Sequence, residues 1–310
     1  MTDILIGVDG GGSKTRVVIG DEAGNELARA EGGRSAVRPG RADESAKIIA
    51  EVVREALSQA VMPDAVQPTV LYCGIAGVGR EVEQRSLQSA LESEELAEEV
   101  VVEADGMIAL FDAFSDGAGI LIVAGTGSIA YGRGPNGKVL RCGGWGPNIG
   151  DEGSGTWIGR RALAIVGAAT DGREADTALV GAILTATQTS DPLELIPWAA
   201  AAEVKEISQL AGVVLATAAA GDSRANSLVT LAAEELVTHV RALTRQLFGD
   251  ERSSVPVAMS GGLLKKGSLL RKRLEQRLRS AVPGANVRQE EVIPERGALR
   301  AASRRIHLPI

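Results

Sequence analysis

The sequence predicts an α/β protein made of two duplicated domains. Its 310 residues are too many for one ordinary hydrophobic core and suit two. One pattern also occurs twice, at residues 8–28 and 123–141: an apolar strand, a glycine-rich turn with a serine, a second strand, a turn and a third strand. Such a repeat indicates an internal duplication. Aromatic residues make up only 3% of the chain, so aliphatic side chains must build both cores.

Short β-branched runs alternate with helical apolar stripes in the first half of the chain. Glycine turns separate the first three runs, and residues 42–58 carry isoleucine, valine and leucine at helical spacing. The predicted strands are 4–8, 15–19, 27–30, 70–75 and 100–103, and the predicted helices are 42–58 and 81–98, with 107–114 as a further helical segment.

The second half begins with strands and then becomes mainly helical. The turn at residues 115–117 is the expected domain boundary. The predicted strands are 120–124, 129–133, 138–141, 255–259 and 286–288, and the predicted helices are 156–167, 176–187, 202–219, 223–248, a basic one within 265–279 and a last one that begins at Gly297.

Charge and composition argue against several classes of protein. A net charge of −7 is unfavourable for binding nucleic acid, and no apolar stretch reaches the ~20 residues of a membrane helix. The first residues do not have the pattern of a signal peptide. Cys73 and Cys142 form no CxxC pair, which favours reduced thiols in a cytoplasmic protein. His239 and His307 are isolated in the sequence, so we expect them to be surface or packing residues.

Both glycine-rich segments come close to nucleotide motifs that they do not match. Residues 7–15 are nearly a P-loop, but Ser13 separates the last glycine from Lys14, and a strand-like run follows where a P-loop opens a helix. Residues 125–130 fit the loose dinucleotide pattern, yet residues 131–135 contain two glycines and a proline and cannot continue a helix.

Each segment fits better as a glycine turn between two antiparallel strands. Such a turn directs backbone N–H groups toward a phosphate, and glycine permits close approach. The hydroxyls of Ser13, Thr15, Thr126 and Ser128 would add donors. Two such loops, one from each half, could grip a triphosphate from both sides. The alternative is two ordinary hairpin turns, although these need fewer glycines.

Two aspartates follow predicted strands. Asp9 ends the first strand beside the glycine turn, where a carboxylate would hold Mg²⁺ directly or through water; the alternative is a turn residue. Asp105 follows the strand at 100–103, and a carboxylate at that end of a strand is well placed for proton transfer. Its alternative is an N-cap of the helical segment at 107–114.

Residues 143–159 form the least generic segment of the chain. The segment is rich in glycine and contains Trp145, Trp157 and the pair Asp151–Glu152. Aromatic faces pack against sugar rings and carboxylates accept hydrogen bonds from sugar hydroxyls, so the composition favours a sugar site. The alternative is an N-cap loop for the next helix, with Asp151 or Ser154 as the cap.

The order of these motifs resembles the BadF/BadG-type ATPase family, and within it the N-acetylglucosamine kinase-like branch of the actin/hexokinase superfamily. The resemblance covers nearly the whole chain, through GVDGGGSKT, YCGIAGVG, EADG, VAGTGS, CGGWG, GDEGSGTWIG, MSGG and PERGA. It implies two duplicated ribonuclease H-like (actin/hexokinase-type) domains around a nucleotide cleft. The first would span 1–115, with helix 298–310 packing back on it, and the second would span 116–297 with helical insertions.

The resemblance also implies a function and a set of site residues. The expected reaction is phosphorylation of N-acetylglucosamine or glucosamine at the primary hydroxyl by ATP, in a cytoplasmic homodimer that binds a small sugar and neither nucleic acid nor membrane. One departure concerns the sugar: Ala36 stands where these kinases carry an asparagine. The implied roles are general base for Asp105; Mg²⁺ ligand for Asp9; nucleotide binding for Gly11, Gly12, Ser13, Lys14, Thr15, Gly125, Thr126, Gly127, Ser128, Gly261 and Gly262; and sugar binding for Gly144, Trp145, Asp151 and Thr126.

Two other functions stay open on the same fold. One is an ATPase activator of a dehydratase or reductase with an iron–sulfur cluster at a dimer interface, which needs thiolate ligands. Two subunits with Cys73 and Cys142 would supply four thiols, but the Cys-Ala-Ala-Gly-type segment of those activators is not found. The other is a non-catalytic sugar-sensing protein. Such regulators often add a helix-turn-helix, which we do not find ahead of the first strand.

Overall fold

The computed structural model describes residues 3–60, 67–250 and 252–307. The chain divides into two compact units, the first made of Met1–Asp116 with Val292–Ile310 and the second of Gly117–Glu291. Each unit contains one five-stranded sheet.

The first unit is built on strands and helices in an α/β order. The central strand β1 is almost wholly buried, as its continuous apolar run requires. It pairs antiparallel with β2 and parallel with β4, and the sheet order is β3-β2-β1-β4-β5. The elements are β1 (Ile4–Gly10), β2 (Thr15–Asp21), β3 (Glu26–Gly32), α1 (Ala42–Gln59), β4 (Val70–Ile75), α2 (Glu81–Glu92), β5 (Glu99–Ala104) and α3 (Asp105–Phe114).

The second unit repeats this sheet and adds helices to it. Its strand order is β8-β7-β6-β9-β10, and its core is aliphatic. The elements are β6 (Gly119–Ala124), β7 (Ser128–Arg133), β8 (Val139–Gly143), α4 (Gly155–Thr170), α5 (Leu179–Thr187), a 3-10 turn (Pro192–Glu194), α6 (Leu195–Ala201), α7 (Val204–Ala219), α8 (Ser223–Phe248), β9 (Val255–Ser260), a second 3-10 turn (Gly262–Leu264), α9 (Leu269–Ala281) and β10 (Ala285–Val287).

The two sheets have the same topology. In each, the first three strands form an antiparallel meander, and two later strands add in parallel beside the first strand. Both glycine-rich segments connect the first strand to the second, at residues 10–15 and 124–128. The duplication predicted from the repeated sequence is therefore present in the sheets.

The last helix, α10 (Pro294–His307), packs on the first unit. A Cβ atom at Gly7 of β1 would lie 2.5 Å from the backbone nitrogen of Leu299, so only glycine allows the helix to lie this close to the strand. The carboxylate of Asp112 in α3 accepts hydrogen bonds from the backbone nitrogen of Ile293 and from Arg296, which fixes the start of α10.

Several element boundaries differ from the prediction. The helix predicted at 81–98 ends at Glu92, because Glu95 adopts a left-handed φ of 52° and the chain must turn before β5. Helix α6 and the 3-10 turn before it were not predicted, and residues 308–310 of the predicted last helix lie outside the described residues. None of the described helices combines the length and apolar character needed to cross a membrane.

Candidate functional site

The first glycine loop joins β1 to β2 and is held from one side. The carbonyl oxygen of Gly11 accepts hydrogen bonds from the backbone nitrogens of Ser35 and Ala36, at 3.3 and 3.2 Å. Gly12 and Ser13 are exposed at the tip. The ammonium group of Lys14 lies 2.6 Å from Glu31. Ala36, where the sequence departs from the family pattern, therefore lies directly behind this loop.

The second glycine loop joins β6 to β7 and is fastened to the start of α4. The carbonyl oxygen of Gly125 accepts a hydrogen bond from the backbone nitrogen of Gly155, at 2.8 Å, and the carbonyl oxygen of Thr126 accepts one from Thr156. Thr126 itself is exposed. The loop is thus held in place while its tip faces outward.

Two of the four hydroxyls expected to face a ligand are used inside the protein. The Thr15 hydroxyl is buried and hydrogen-bonds with the carbonyl oxygen of Gly33, at 2.6 Å, and with the Ser35 hydroxyl. The buried Ser128 hydroxyl donates to the carbonyl oxygen of Glu152, at 2.7 Å. Both residues begin the second strand of a hairpin with an inward side chain, which explains why their hydroxyls bind inside the protein and do not face a ligand. Ser13 and Thr126 keep the exposed positions.

Asp151 connects the second loop to the glycine-rich segment at residues 143–159. It is 6% exposed, has a φ of +59°, and accepts a hydrogen bond through Oδ1 from the backbone nitrogen of Gly146, at 3.0 Å. Its Oδ2 lies 2.6 Å from the position that a Cβ atom at Gly127 would take. Burial raises the pKa of this carboxyl group above its usual value. One carboxylate therefore touches both segments.

Trp145 presents an apolar face beside Asp151. The Trp145 side chain is 62% exposed, and the guanidinium carbon of Arg141 lies 4.8 Å from its ring centroid. Arg141 also donates to the carbonyl oxygens of Gly143 and Gly144, at 2.9 and 3.2 Å. Both glycines have positive φ angles that other residues rarely adopt. Arg141 thus contacts both the backbone of Gly143 and Gly144 and the indole ring of Trp145.

His239 on α8 packs against the segment at residues 143–159, a contact that the sequence did not indicate. The side chain is buried, and its Nδ1 lies 2.8 Å from the carbonyl oxygen of Glu235. Because a carbonyl only accepts, Nδ1 carries a proton. The imidazole packs against Gly143, and Nε2 lies 3.7 Å from the carboxylate of Glu152. The sequence analysis expected His239 to be a surface or packing residue, but no local pattern pointed to this partner.

Ser154, not Asp151, caps the following helix. Its side chain accepts a hydrogen bond from the backbone nitrogen of Trp157, at 3.2 Å, and α4 begins at the next residue. Of the two N-cap candidates for this helix, Ser154 is therefore the cap. The Asp151 carboxylate instead contacts Gly146 and lies close to Gly127.

Gly261 and Gly262 follow β9 next to the second loop. Gly261 has a φ of +96°, and any side chain there would collide with the backbone of Ala124. The backbone nitrogen of Gly262 lies 4.0 Å from the position of a Cβ atom at Gly125. The second unit therefore brings together the second glycine loop, Asp151, the 143–146 segment and the pair Gly261–Gly262.

Asp9 lies in an acidic surrounding in the first unit. Its pKa is raised to about 7, first by burial and then by the negative charges of Glu295 and Asp105. Arg16, directly opposite on β2 and 3.4 Å away, lowers it. Glu295 begins α10, and its place beside Asp9 was not predicted, because the two residues come from opposite ends of the chain.

Asp105 is the first residue of α3 and does not cap it. The N-cap position is Ala104, and the Asp105 carboxylate accepts a hydrogen bond from the adjacent nitrogen of Gly106, at 2.8 Å. Burial raises the pKa of the carboxyl group. The first unit therefore brings Asp105 and Glu295 within electrostatic reach of Asp9.

Neither a thiol cluster nor a self-sufficient metal cluster is present in the described ranges. Cys73 is fully buried in β4, Cys142 is half-buried in β8, and both are free. Burial raises the pKa of both thiols. Across residues 3–60, 67–250 and 252–307, no three histidine, cysteine or acidic side chains are grouped closely enough to hold a metal ion alone.

Comparison with known proteins agrees with this arrangement. The model of the BadF/BadG/BcrA/BcrD ATPase family matches residues 6–302. The chain is 31% identical over 263 residues to the N-acetylmuramic acid/N-acetylglucosamine kinase of Clostridium acetobutylicum, which covers 84% of this chain and 85% of that protein. It is 30% identical over 308 residues to the N-acetyl-D-glucosamine kinase of Dictyostelium discoideum, with 96% of each covered.

A solved structure extends the comparison to the fold. The crystal structure from Chromobacterium violaceum that carries the provisional assignment N-acetylglucosamine kinase has a TM-score of 0.79 and 32% identity, and the match covers 96% of this chain and 98% of that one. The predicted fold class, two duplicated α/β domains of the actin/hexokinase type, is confirmed. The chain belongs to the BadF/BadG/BcrA/BcrD ATPase family.

Proposed function

We propose that this chain is an ATP-dependent kinase that phosphorylates an amino sugar, N-acetylglucosamine or glucosamine, at its primary hydroxyl. The observation that carries the proposal is the position of Asp151, which touches the second glycine loop at Gly127 and the Trp145 segment at Gly146. A phosphate-binding loop and a sugar-binding segment then adjoin within one unit. The relatives in Clostridium and Dictyostelium, both named as N-acetylglucosamine kinases, support the same substrate class.

The sugar site is proposed to use Trp145, Asp151, Gly144 and Thr126. An exposed aromatic face packs against the apolar face of a sugar ring, and a carboxylate accepts hydrogen bonds from ring hydroxyls. Asp151 is fixed by its contact with Gly146 and by burial, so little side-chain freedom would be lost on binding. Ala36 carries no hydrogen-bonding side chain, so it cannot make the sugar contact that an asparagine would make there.

Asp105 is proposed to act as general base toward the sugar hydroxyl. A base works best when its pKa lies near the working pH, and burial moves the pKa of Asp105 in that direction. Its hydrogen bonds come from backbone nitrogens, those of Gly106 and of Asp105 itself, and leave acceptor capacity for a substrate proton.

Each glycine loop is proposed to bind phosphate, together with the Gly261–Gly262 pair in the second unit and with Mg²⁺ at Asp9 in the first. The exposed loop tips offer the backbone N–H groups and hydroxyls of Ser13 and Thr126. Asp9 fits a magnesium site because Mg²⁺ takes one or two carboxylates and keeps several waters, and because the negative charges of Glu295 and Asp105 act on Asp9 against the single positive charge of Arg16. When bound, the ion would neutralise charge on the transferring phosphoryl group.

The buried thiols disfavour the activator alternative. Cluster ligands at a subunit interface must be exposed thiolates, whereas Cys73 is wholly enclosed and its thiol pKa is raised by burial. A cytoplasmic location and a homodimeric state complete the proposal, and light scattering of the purified chain would test the second.

A substrate panel tests the proposed function. We expect sugar-dependent conversion of ATP to ADP, with the highest kcat/KM for N-acetylglucosamine or glucosamine, when the two are compared with N-acetylmuramic acid and glucose. A higher kcat/KM for glucose would contradict the assignment of an amino sugar. Absence of turnover with all four, in a protein that binds N-acetylglucosamine, would instead support the sugar-sensing alternative.

A further inference from the structure

Glu295 is a buried glutamate with an unsatisfied carboxylate oxygen. The residue is 7% exposed, and its Oε2 has no hydrogen-bond partner among the described residues. An unpaired buried carboxylate is costly, because burial removes the water that would solvate it. Such a group persists where an ion or a ligand supplies the missing partner.

The position of Glu295 is set by β1. Residues 7 and 9 of a strand lie on the same face, because side chains alternate with a period of two. A Cβ atom at Gly7 would lie 2.6 Å from the carbonyl oxygen of Glu295, so the first turn of α10 lies directly on this face. The charge of Glu295 also acts on Asp9 more strongly than that of Asp105. Glu295 therefore lies on the face of β1 that carries Asp9, close enough for its charge to act on Asp9.

The backbone at the start of α10 is anchored on both sides of Glu295. Asp112 accepts a hydrogen bond from the backbone nitrogen of Ile293, at 2.8 Å, and two from Arg296, both at 2.7 Å. These anchors lie on either side of Glu295 along the chain. Gly297 packs against the backbone of Ile108 in α3, where no larger residue fits.

We propose that Glu295 is a second carboxylate of the cation site and holds a hydrated divalent cation jointly with Asp9. This inference rests on the proposed function for the presence of a metal–nucleotide substrate. Arg16 is the positive charge that acts on Asp9, but it is shared with Glu31. The charge of Arg29, which acts on Glu295, is paired with Glu26, so the negative charges around Asp9 outnumber the positive ones. A divalent cation removes this repulsion and, directly or through one of its waters, gives Oε2 its partner.

Manganese binding tests the proposal without any sugar or turnover. Mn²⁺ alone and Mn²⁺ with ADP are titrated against the protein, and binding is followed by water proton relaxation. We expect Glu295→Gln to weaken Mn²⁺ binding about 10-fold or more, the usual effect of losing a residue that supports a metal site. Without cation, the Tm of this variant should equal or exceed that of the wild type, because a buried negative charge has been removed.

Glu83→Gln is the matched control. Glu83 is also buried, at 8% exposed, and its Oε2 also lacks a partner, but it lies on α2 and is not among the charges that act on Asp9. Its substitution should leave Mn²⁺ binding unchanged.

Three results would overturn the proposal: Mn²⁺ affinity of Glu295→Gln equal to that of the wild type, no Mn²⁺ binding by the wild type, or a Glu295→Gln chain that fails to fold without cation. The last would show a structural role. If the substrate panel failed while Mn²⁺ binding still depended on Glu295, the proposed sugar kinase would be wrong and the cation site right.

Discussion

At the scale of single residues, the proposed chemistry depends on buried carboxylates, two of which act electrostatically on the third. Asp105, Asp9 and Glu295 come from α3, β1 and α10, and burial raises the pKa of the first two. The sequence pointed to Asp9 and Asp105 because each follows a predicted strand. It could not point to Glu295, because a single glutamate in a polar segment acquires its neighbours only when the end of the chain returns to β1.

Replacement of Asp105 by asparagine should lower turnover while substrate binding persists. Asparagine keeps the shape of the side chain but cannot take up a proton at neutral pH. We expect kcat to fall ~100-fold or more, the usual range for loss of a general base. Calorimetry should show sugar and nucleotide affinities near those of the wild type. Near-normal kcat in this variant would remove Asp105 from the reaction.

Asp9 should make stability depend on pH in a defined direction. Its pKa in the folded chain is about 7, above the ordinary value of 3.8, so the folded state binds the proton more tightly than the unfolded state. The free energy of unfolding contributed by Asp9 therefore falls as pH rises from about 4 to 7, by at most about 1.4 kcal/mol per pH unit.

Urea unfolding of the wild type and Asp9→Asn at pH 5 and pH 8, without divalent cations, measures this contribution. The stability of the variant relative to the wild type should be greater at pH 8 than at pH 5. A difference that does not change with pH would contradict the raised pKa.

At the scale of elements, glycine determines how closely segments of the site approach. The strands with strong β-branched runs and the long helix α8 were predicted nearly to the residue, since periodicity alone defines them. Helix α6 was missed because seven residues are too few for a helical apolar stripe to show, and it contains Pro197 in its first turn. Proline is tolerated in the first turn of a helix, where its missing N–H has no partner to lose.

Gly127→Ala should damage the sugar site through Asp151. The added Cβ atom would lie 2.6 Å from Oδ2 of Asp151, so either the loop or the carboxylate must move. We expect a rise in KM for the sugar of about 10-fold or more, by analogy with the loss of a good hydrogen bond to a charged group.

Gly181→Ala on α5 is the control for this substitution, because its Cβ atom would meet no atom within 4 Å. Alanine is also the better helix former there, so this variant should keep its KM and be slightly more stable. Equal KM values in the two variants would separate Asp151 from sugar binding.

At the scale of the whole molecule, the duplication organises the functional residues. Each unit has the same strand order, and each places one glycine loop between its first two strands. The repeated strand–glycine–strand pattern made this visible in the sequence. The pattern could not show which hydroxyls turn inward, because Thr15 and Ser128 find their partners in residues far along the chain, at Gly33 and Glu152.

Sugar-dependent consumption of ATP tests the central claim most directly. The purified chain is given ATP and Mg²⁺ with and without N-acetylglucosamine, and both ADP and sugar phosphate are measured. Our account predicts a slow basal rate, at least about 10-fold stimulation by the sugar, since the bound hydroxyl replaces water as the acceptor, and one sugar phosphate for each ATP consumed. Equal ATP consumption with and without sugar, and no sugar phosphate, would contradict the account.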